Sequence, residues 1–406
     1  MASEPITVYE FDCLHKSELG SKVYDALVSF YGDDRKGAFP YYSLIKDGIR
    51  FKQYVGMLCV GNQVIEVLPK VDRDSTGNLQ WRARLLYMLR RVYKLDVKSP
   101  SQAPQKLTAN SILDIFITRF LDEVDTLLNR GLVKCYHREE GNLYSLKGKM
   151  MWSKQFSKNC VHKERFFVSY ITYDREHVMN RILRQTLEVI PKITFNLALR
   201  GRANSTLFNF PELKPLRVTQ STFDNLVFDR KTEDYKAAIE IAKLILLHYM
   251  PNAQGGNTDI LALMFDMNKL WEEFIFRVLR RGLVGCEVRA QVQKTLWKSE
   301  KANKIIKADI LIKDDKGNNV VLDTKWKAPD KMTPSDGDLH QMYVYSKYYE
   351  AKKVVLLYPK TNGNESVHGN FVDDDSPCDM LFLPCCQENH QAWEEKICDI
   401  VKGWMS

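Results

Sequence analysis

A chain of 406 residues, 45% apolar and 27% charged, has the composition of a globular protein of two or three domains, which excludes disordered and fibrous classes. Its 59 basic and 51 acidic residues leave a net charge of +8, a modest excess in the direction of a nucleic-acid partner. No apolar run is long enough to cross a bilayer, no opening stretch reads as a signal peptide, and the nine cysteines lack paired CxxC spacing; a soluble, cytoplasmic protein with reduced thiols is expected.

In chain order, residues 5–72 read as β-rich. Thr7–Phe11, Ile49–Val60 and Gln63–Leu68 alternate or run apolar, and Gly61 and Asn62 fit a two-residue hairpin turn. Lys22–Tyr31 is a short amphipathic helix. A second helix carries Trp81, Arg82, Arg84, Arg90 and Arg91 around an apolar side of Leu85, Leu86, Leu89 and Val92. The proline-containing stretch Ser99–Lys106 reads as a linker. Ala109–Asn129 predicts a long helix, with Ile112, Phe116, Phe120 and Val124 on one stripe and Gly131 beyond its end. Further helices are expected at about Asp174–Val189 and Thr232–Tyr249, and the polar, glycine-containing Pro251–Thr258 marks the main boundary. The expected organisation is a β-rich domain at 1–100, a mostly helical middle region at 101–250 and an α/β domain at 251–406.

The last region carries the chemistry. Asp266–Arg281 has helical periodicity, with Leu270, Phe274 and Val278 on one stripe. Ile305–Lys327 reads as two apolar strands around the turn Asp314–Asn319, a register that brings Asp309 beside Asp323 and Lys325. Alternation puts Asp323 and Lys325 on one face and Thr324 on the other. Two adjacent carboxylates repel unless a cation lies between them, and hard oxygen ligands suit Mg²⁺ or Mn²⁺. A nearby lysine orients or deprotonates a bound water and stabilises developing phosphate charge. Glu272 or Glu273 would reach the same ion from the preceding helix. On the following helix, Asp338–Tyr349, Gln341 and Tyr345 lie one turn apart on one side. A D-x-K pair alone is equally the mark of a solvated hairpin; the ordered set Glu, Asp, Asp-x-Lys, Gln-x-x-x-Tyr is harder to explain that way. Arg289, Lys294, Lys298, Lys301, Lys304 and Lys307, interleaved with Trp297, would neutralise phosphates or simply protect an exposed strand pair. A strand at Lys353–Tyr358, a polar loop at Thr361–Pro377, a strand at Met380–Leu383 and a helix at Gln391–Trp404 complete the chain.

These residues resemble the PD-(D/E)xK nuclease superfamily, in the branch with a Gln-x-x-x-Tyr helix; Ala308 stands where that motif usually has proline. Leu68-Pro-Lys70, Asn129-Arg-Gly-Leu132, Leu146-Lys-Gly-Lys149 and Asn180-Arg-Ile-Leu183, in that order, are similar to the McrC family, the nuclease subunits of McrBC-type restriction systems. The resemblance implies a restriction-endonuclease-like α/β/α nuclease domain with Glu272, Asp309 and Asp323 as metal ligands and Lys325, Gln341 and Tyr345 completing the catalytic set. It implies Mg²⁺-dependent cleavage of DNA carrying a modified, methylcytosine-type base. A separate McrB-like AAA+ ring would use GTP, since this sequence has no Gly-x-x-x-x-Gly-Lys-[Ser/Thr] loop of its own. The turn at Gly61 and Asn62 is the candidate docking element, and cutting both strands would need two copies brought together. A nuclease of repair or recombination without a GTPase partner shares the site and is the alternative.

Overall fold

The computed structural model describes residues 5–31, 41–70, 78–93, 111–250, 259–300, 302–327, 333–360, 364–373, 375–385 and 390–405. The expected linker at 99–106 and the boundary at 251–258 lie outside the described residues. The chain divides into two compact units: residues 1–112 together with 264–406, and residues 113–263. The regions expected as separate N-terminal and C-terminal domains thus belong to one unit. No helix among the described residues is long and apolar enough to cross a membrane.

In the first unit, Tyr54–Val60 and Gln63–Leu68 form the expected hairpin, with Val60 paired to Gln63 and Gly61 at φ 55° in the turn. Ile6–Tyr9 adds a parallel strand beside Gln63–Leu68. The run Ile49–Val60, expected as one strand, is broken into Gly48–Phe51 and Tyr54–Val60; the former joins Cys13–His15 and Tyr42–Ile45 in a small sheet of its own. Of the arginines on the helix Asn78–Tyr93, Arg90 is exposed while three others have partners within the protein. Arg82 is buried and donates from Nε to Glu66 Oε1 at 2.6 Å, Arg84 stacks over Trp81, and Arg91 pairs with Glu394 at 2.8 Å. A buried charge is tolerated only when partnered, so these arginines serve the interior.

The C-terminal part of this unit is a five-stranded sheet in the order Glu287–Lys298, Asn303–Lys313, Asn319–Thr324, Ala351–Lys360, Cys378–Pro384. The first three strands are antiparallel and the last two are added in parallel. Both faces are covered, which is why the central strands read as continuous apolar runs. Leu311, Val321, Val354, Leu356, Tyr358, Met380 and Phe382 line one face against Met342, Tyr345 and Tyr349 of the segment that forms the helix Asp336–Tyr348 and its end. Ile310, Ile312, Val320, Leu322, Val355 and Leu357, which alternate with them, are equally buried. Apolar burial of this extent, at about 25 cal/mol per Å², is what holds charged residues fixed at the sheet's end.

The second unit is less purely helical than its sequence suggests. The helices Ser111–Arg130, Val178–Ile193, Leu197–Asn209 and Lys236–His248 are joined by a three-stranded antiparallel sheet of Cys135–Leu143, Phe166–Asp174 and Lys149–Met150. The strand Cys135–Leu143 is mostly polar on both faces and so gives no period-two apolar signal. The expected helix from Asp174 begins only at Val178, because Phe166–Asp174 is a strand that ends there.

Candidate active site

The strand register sets the site. Ile310 pairs with Leu322 and Leu311 with Val321, so the next residues along, Asp309 and Asp323, stand across from one another on the face covered by the helix Asp336–Tyr348. Asp323 is 1% exposed. Its Oδ1 accepts from Gln341 Nε2 at 3.1 Å, and the Lys325 ammonium lies 2.7 Å from its Oδ2, where no aligned hydrogen bond satisfies that buried oxygen. Lys325 also donates to Gln341 Oε1 at 3.2 Å and lies 3.3 Å from Asp338 Oδ1. Gln341 Nε2 donates to Tyr345 OH at 2.7 Å, and Tyr345 in turn donates to the carbonyl of Lys307 at 2.5 Å. One helix turn thereby ties the acid, the lysine and the strand of Asp309 together.

Asp309 is half-buried, and its Oδ2 accepts from both the backbone N–H and the hydroxyl of Thr324, at 2.9 and 3.1 Å. Thr324 was expected to face away from the acids. It is the last residue of its strand, where strict alternation ends, and its hydroxyl turns to Asp309.

Glu272 and Glu273 are separated by the structure. Glu273 is in an ion pair with Arg277 at 2.7 Å on its own helix. Glu272 lies near enough to Asp309 to feel its charge: burial first, then that charge, lifts its carboxyl to about 7, with Lys307 opposing. Asp323 is also shifted upward, by burial and then by Asp309. Burial alone would lower the Lys325 ammonium, but Asp323 and Asp338 outweigh it and the net shift is upward, so this lysine keeps its proton. Asp338 runs the other way: burial opposes, yet Lys327, Ser335 and Lys325 hold it near about 2. Tyr345 is pushed up to about 12 by burial and stays a neutral phenol.

Three side chains of this constellation were not singled out from sequence. Asp338 was read only as a helix start, yet it bridges Lys325 and Lys327, and the spacing Ser335-x-x-Asp338, in which Ser335 Oγ donates to Asp338 Oδ2 at 2.7 Å, is a capping signal that would have found it. Thr324 is the second. Gln291, whose carboxamide donates to Glu272 Oε1, is the third and left no sequence signal. Among the described residues no three His, Cys, Asp or Glu side chains gather closely enough to hold a metal as they stand; Gln291 and Thr324 each occupy one oxygen, of Glu272 and Asp309 respectively, and leave the other without a hydrogen-bond partner among the described residues.

The basic stretch divides. Arg289 pairs with Glu287 at 3.3 Å, and Lys294 donates to the Tyr348 carbonyl at 2.5 Å, so both have structural partners. Lys298, Lys304 and Lys307 are exposed and in no ion pair among the described residues; Lys301 lies outside them. They sit where Glu287–Lys298 and Asn303–Lys313 continue as a ribbon beyond the third strand, whose pairing stops at Ile310. Gly61 and Asn62 stand elsewhere, on a hairpin whose strands are buried. Asn180 is an interior polar hub: its amide donates to the carbonyls of Val133 and Arg175 at 2.9 and 2.8 Å and it accepts from Tyr235 OH at 2.9 Å.

The protein is therefore of mixed α/β, multidomain architecture, with acids, a lysine and a glutamine–tyrosine pair gathered at one end of a mixed sheet. The family described as McrBC 5-methylcytosine restriction system component matches residues 49–359, and the chain belongs to that family. The type IV methyl-directed restriction enzyme EcoKMcrBC of Escherichia coli (strain K12) is 24% identical over 185 residues, 45% of this chain and 53% of that protein, so the chain spans about half the length of the curated relative it matches. The fold is similar to a chain in the refined half-complex from the tetradecameric assembly of Thermococcus gammatolerans McrB AAA+ hexamers with bound McrC, at TM-score 0.65 and 19% identity, covering 98% of this chain and 100% of that one. A chain of the Thermococcus gammatolerans McrBC complex gives TM-score 0.49 and 22% identity over 70% of this chain and 89% of that one.

Proposed function

We propose that this chain is the DNA-cleaving subunit of a modification-dependent restriction complex, with a PD-(D/E)xK nuclease domain at its C-terminal end. The observation that carries the reading is the row of Asp309 and Asp323 with Lys325 held beside it by Gln341 and Asp338. Family membership favours restriction over repair as the setting.

The donor set fits a hard divalent ion: Glu272 Oε2, the free oxygen of Asp309 and the unsatisfied buried Oδ2 of Asp323 are all carboxylate oxygens. Mg²⁺ or Mn²⁺ bound there supplies Lewis acidity and an activated water. Lys325, protonated between two acids, serves as a fixed positive charge for the phosphate rather than as a base. Gln341 fixes both Asp323 and Lys325, and Tyr345 anchors Gln341 to the Lys307 carbonyl. Lys298, Lys304 and Lys307 hold backbone phosphates near this point.

The motor is a separate McrB-like AAA+ GTPase ring, as in the assembly whose bound chain this one resembles. The turn at Gly61 and Asn62 is one candidate for docking on it. Exposed side chains of the second unit, Tyr136 with Tyr173 and Ile171 on the sheet, and Trp152 with Phe156 on the short helix Trp152–Lys158, are a second docking candidate.

Asp309→Ala and Asp323→Ala, assayed with the GTPase partner and Mg²⁺ on DNA containing 5-methylcytosine, are expected to abolish cleavage while GTP hydrolysis continues. Undiminished cleavage by both variants rejects the site.

A further inference from the structure

Gln291 departs from its strand. The pairs Ala290 with Ile310 and Val292 with Ala308 leave Gln291 facing Asp309, which itself faces Asp323, so the three residues form one row across three strands. Gln291 has φ 53°, in the left-handed region. The other non-glycine residues of positive φ among the described residues, Phe11, Asp47, Glu350 and Asp375, lie in turns and loops, whereas Gln291 is inside a strand. An L residue avoids this conformation, and strain of this kind gathers at functional sites. Glycine would adopt the same backbone freely. What glutamine adds is a carboxamide, and that carboxamide donates to Glu272 Oε1.

We propose that Gln291 is a positioning residue: it fixes the direction of Glu272 so that Oε2 is presented to a divalent cation shared with Asp309 and Asp323. This rests on the reading of those three carboxylates as cation ligands. A neutral donor suits the task, because it orients a carboxylate without cancelling the charge that the ion needs, as a lysine or arginine would. Residues that orient a ligand through its second oxygen typically govern metal affinity by 10- to 100-fold.

The test is titration of the full chain with Mn²⁺ by calorimetry, beside its thermal melting temperature, for the unaltered protein and for Gln291→Gly and Gln291→Asn. Glycine keeps the left-handed backbone and removes the amide; asparagine tolerates the same φ and withdraws the amide by one methylene. Both variants are expected to melt at or above the temperature of the unaltered chain and to bind Mn²⁺ more weakly, the glycine variant by on the order of 10- to 100-fold. Mn²⁺ affinity equal to that of the unaltered chain in both variants overturns the positioning role while leaving the metal site standing. Failure of the unaltered chain itself to bind Mn²⁺ overturns the metal site and, with it, this role.

Discussion

The acidic site of the first unit and the three-stranded sheet of the second invert the ordinary distribution of residues in opposite ways. At the site, Asp323 is buried at 1% exposure beside a retained lysine; on the sheet, Tyr136 and Ile171 are left at 76% and 63% exposure. Charges inside are costly and need partners, and here Lys325 and Gln341 face Asp323 while Asp338 balances Lys325, one oxygen of Asp323 staying without an aligned hydrogen bond. Apolar groups outside cost little to keep, and contiguous ones mark contact surfaces. The rings of Tyr136 and Tyr173 cover one another, with centroids 4.5 Å apart, rather than a core. A buried acidic site demands scaffolding beneath it, whereas an exposed apolar face needs only to be presented.

That contrast has measurable consequences of graded size. The largest falls beneath the site, where Trp271, fully buried, lies 5.2 Å from Trp326, the residue after Lys325. Trp271→Ala is expected to cost about 3–5 kcal/mol in urea unfolding and to remove cleavage with it; a cost under about 1 kcal/mol would show that the site has no rigid floor.

A smaller, pH-dependent effect comes from Glu10, which is buried and accepts from Trp326 Nε1 and the Lys70 N–H, both at 2.9 Å. Burial raises its carboxyl above the ordinary 4.5 despite those bonds. The folded chain therefore binds this proton more tightly than the unfolded one, so stability from this group is present at acid pH and is lost as pH rises from the unfolded value through the raised folded one. Unfolding curves of Glu10→Gln across that window should lack this loss, the difference from the unaltered chain moving in favour of the variant as pH rises; parallel curves would show that Glu10 titrates normally.

The smallest effect is expected on the exposed sheet. Tyr136→Ser with Ile171→Ser should change unfolding free energy by no more than about 0.5 kcal/mol and still reduce stimulation of the partner's GTP hydrolysis. A large stability loss, or unaltered stimulation, would remove the distinction between the two regions.

Much of the site was legible because it follows from register. The turn residues around Gly317, at φ 86°, fix the hairpin, and the hairpin fixes Asp309 opposite Asp323. The helical period of Gln341 and Tyr345 likewise survives into contact. What was not legible depends on a third element. What sets Glu272 apart from Glu273 is Arg277, which pairs with Glu273, and Asp309, whose charge is felt by Glu272. The left-handed turn of Gln291 has no sequence signature, because glutamine gives no hint of positive φ. Nor does the sequence of Asn78–Tyr93 show that Arg82 and Arg91 are met by Glu66 and Glu394, the latter 303 positions beyond Arg91.

The bond from Trp326 to Glu10 spans 316 positions of sequence. The unit that holds the site is closed by the first and last portions of the chain, with the whole second unit threaded between them. On a ribosome adding about 5–20 residues per second, Ile6–Tyr9 finds Gln63–Leu68 at once, but Glu10 waits through the synthesis of that insert before Trp326 exists. The acidic row thus cannot gain this brace until both ends of its unit have been made, and removing the segment that carries Glu10 would loosen it without touching a single residue of the row.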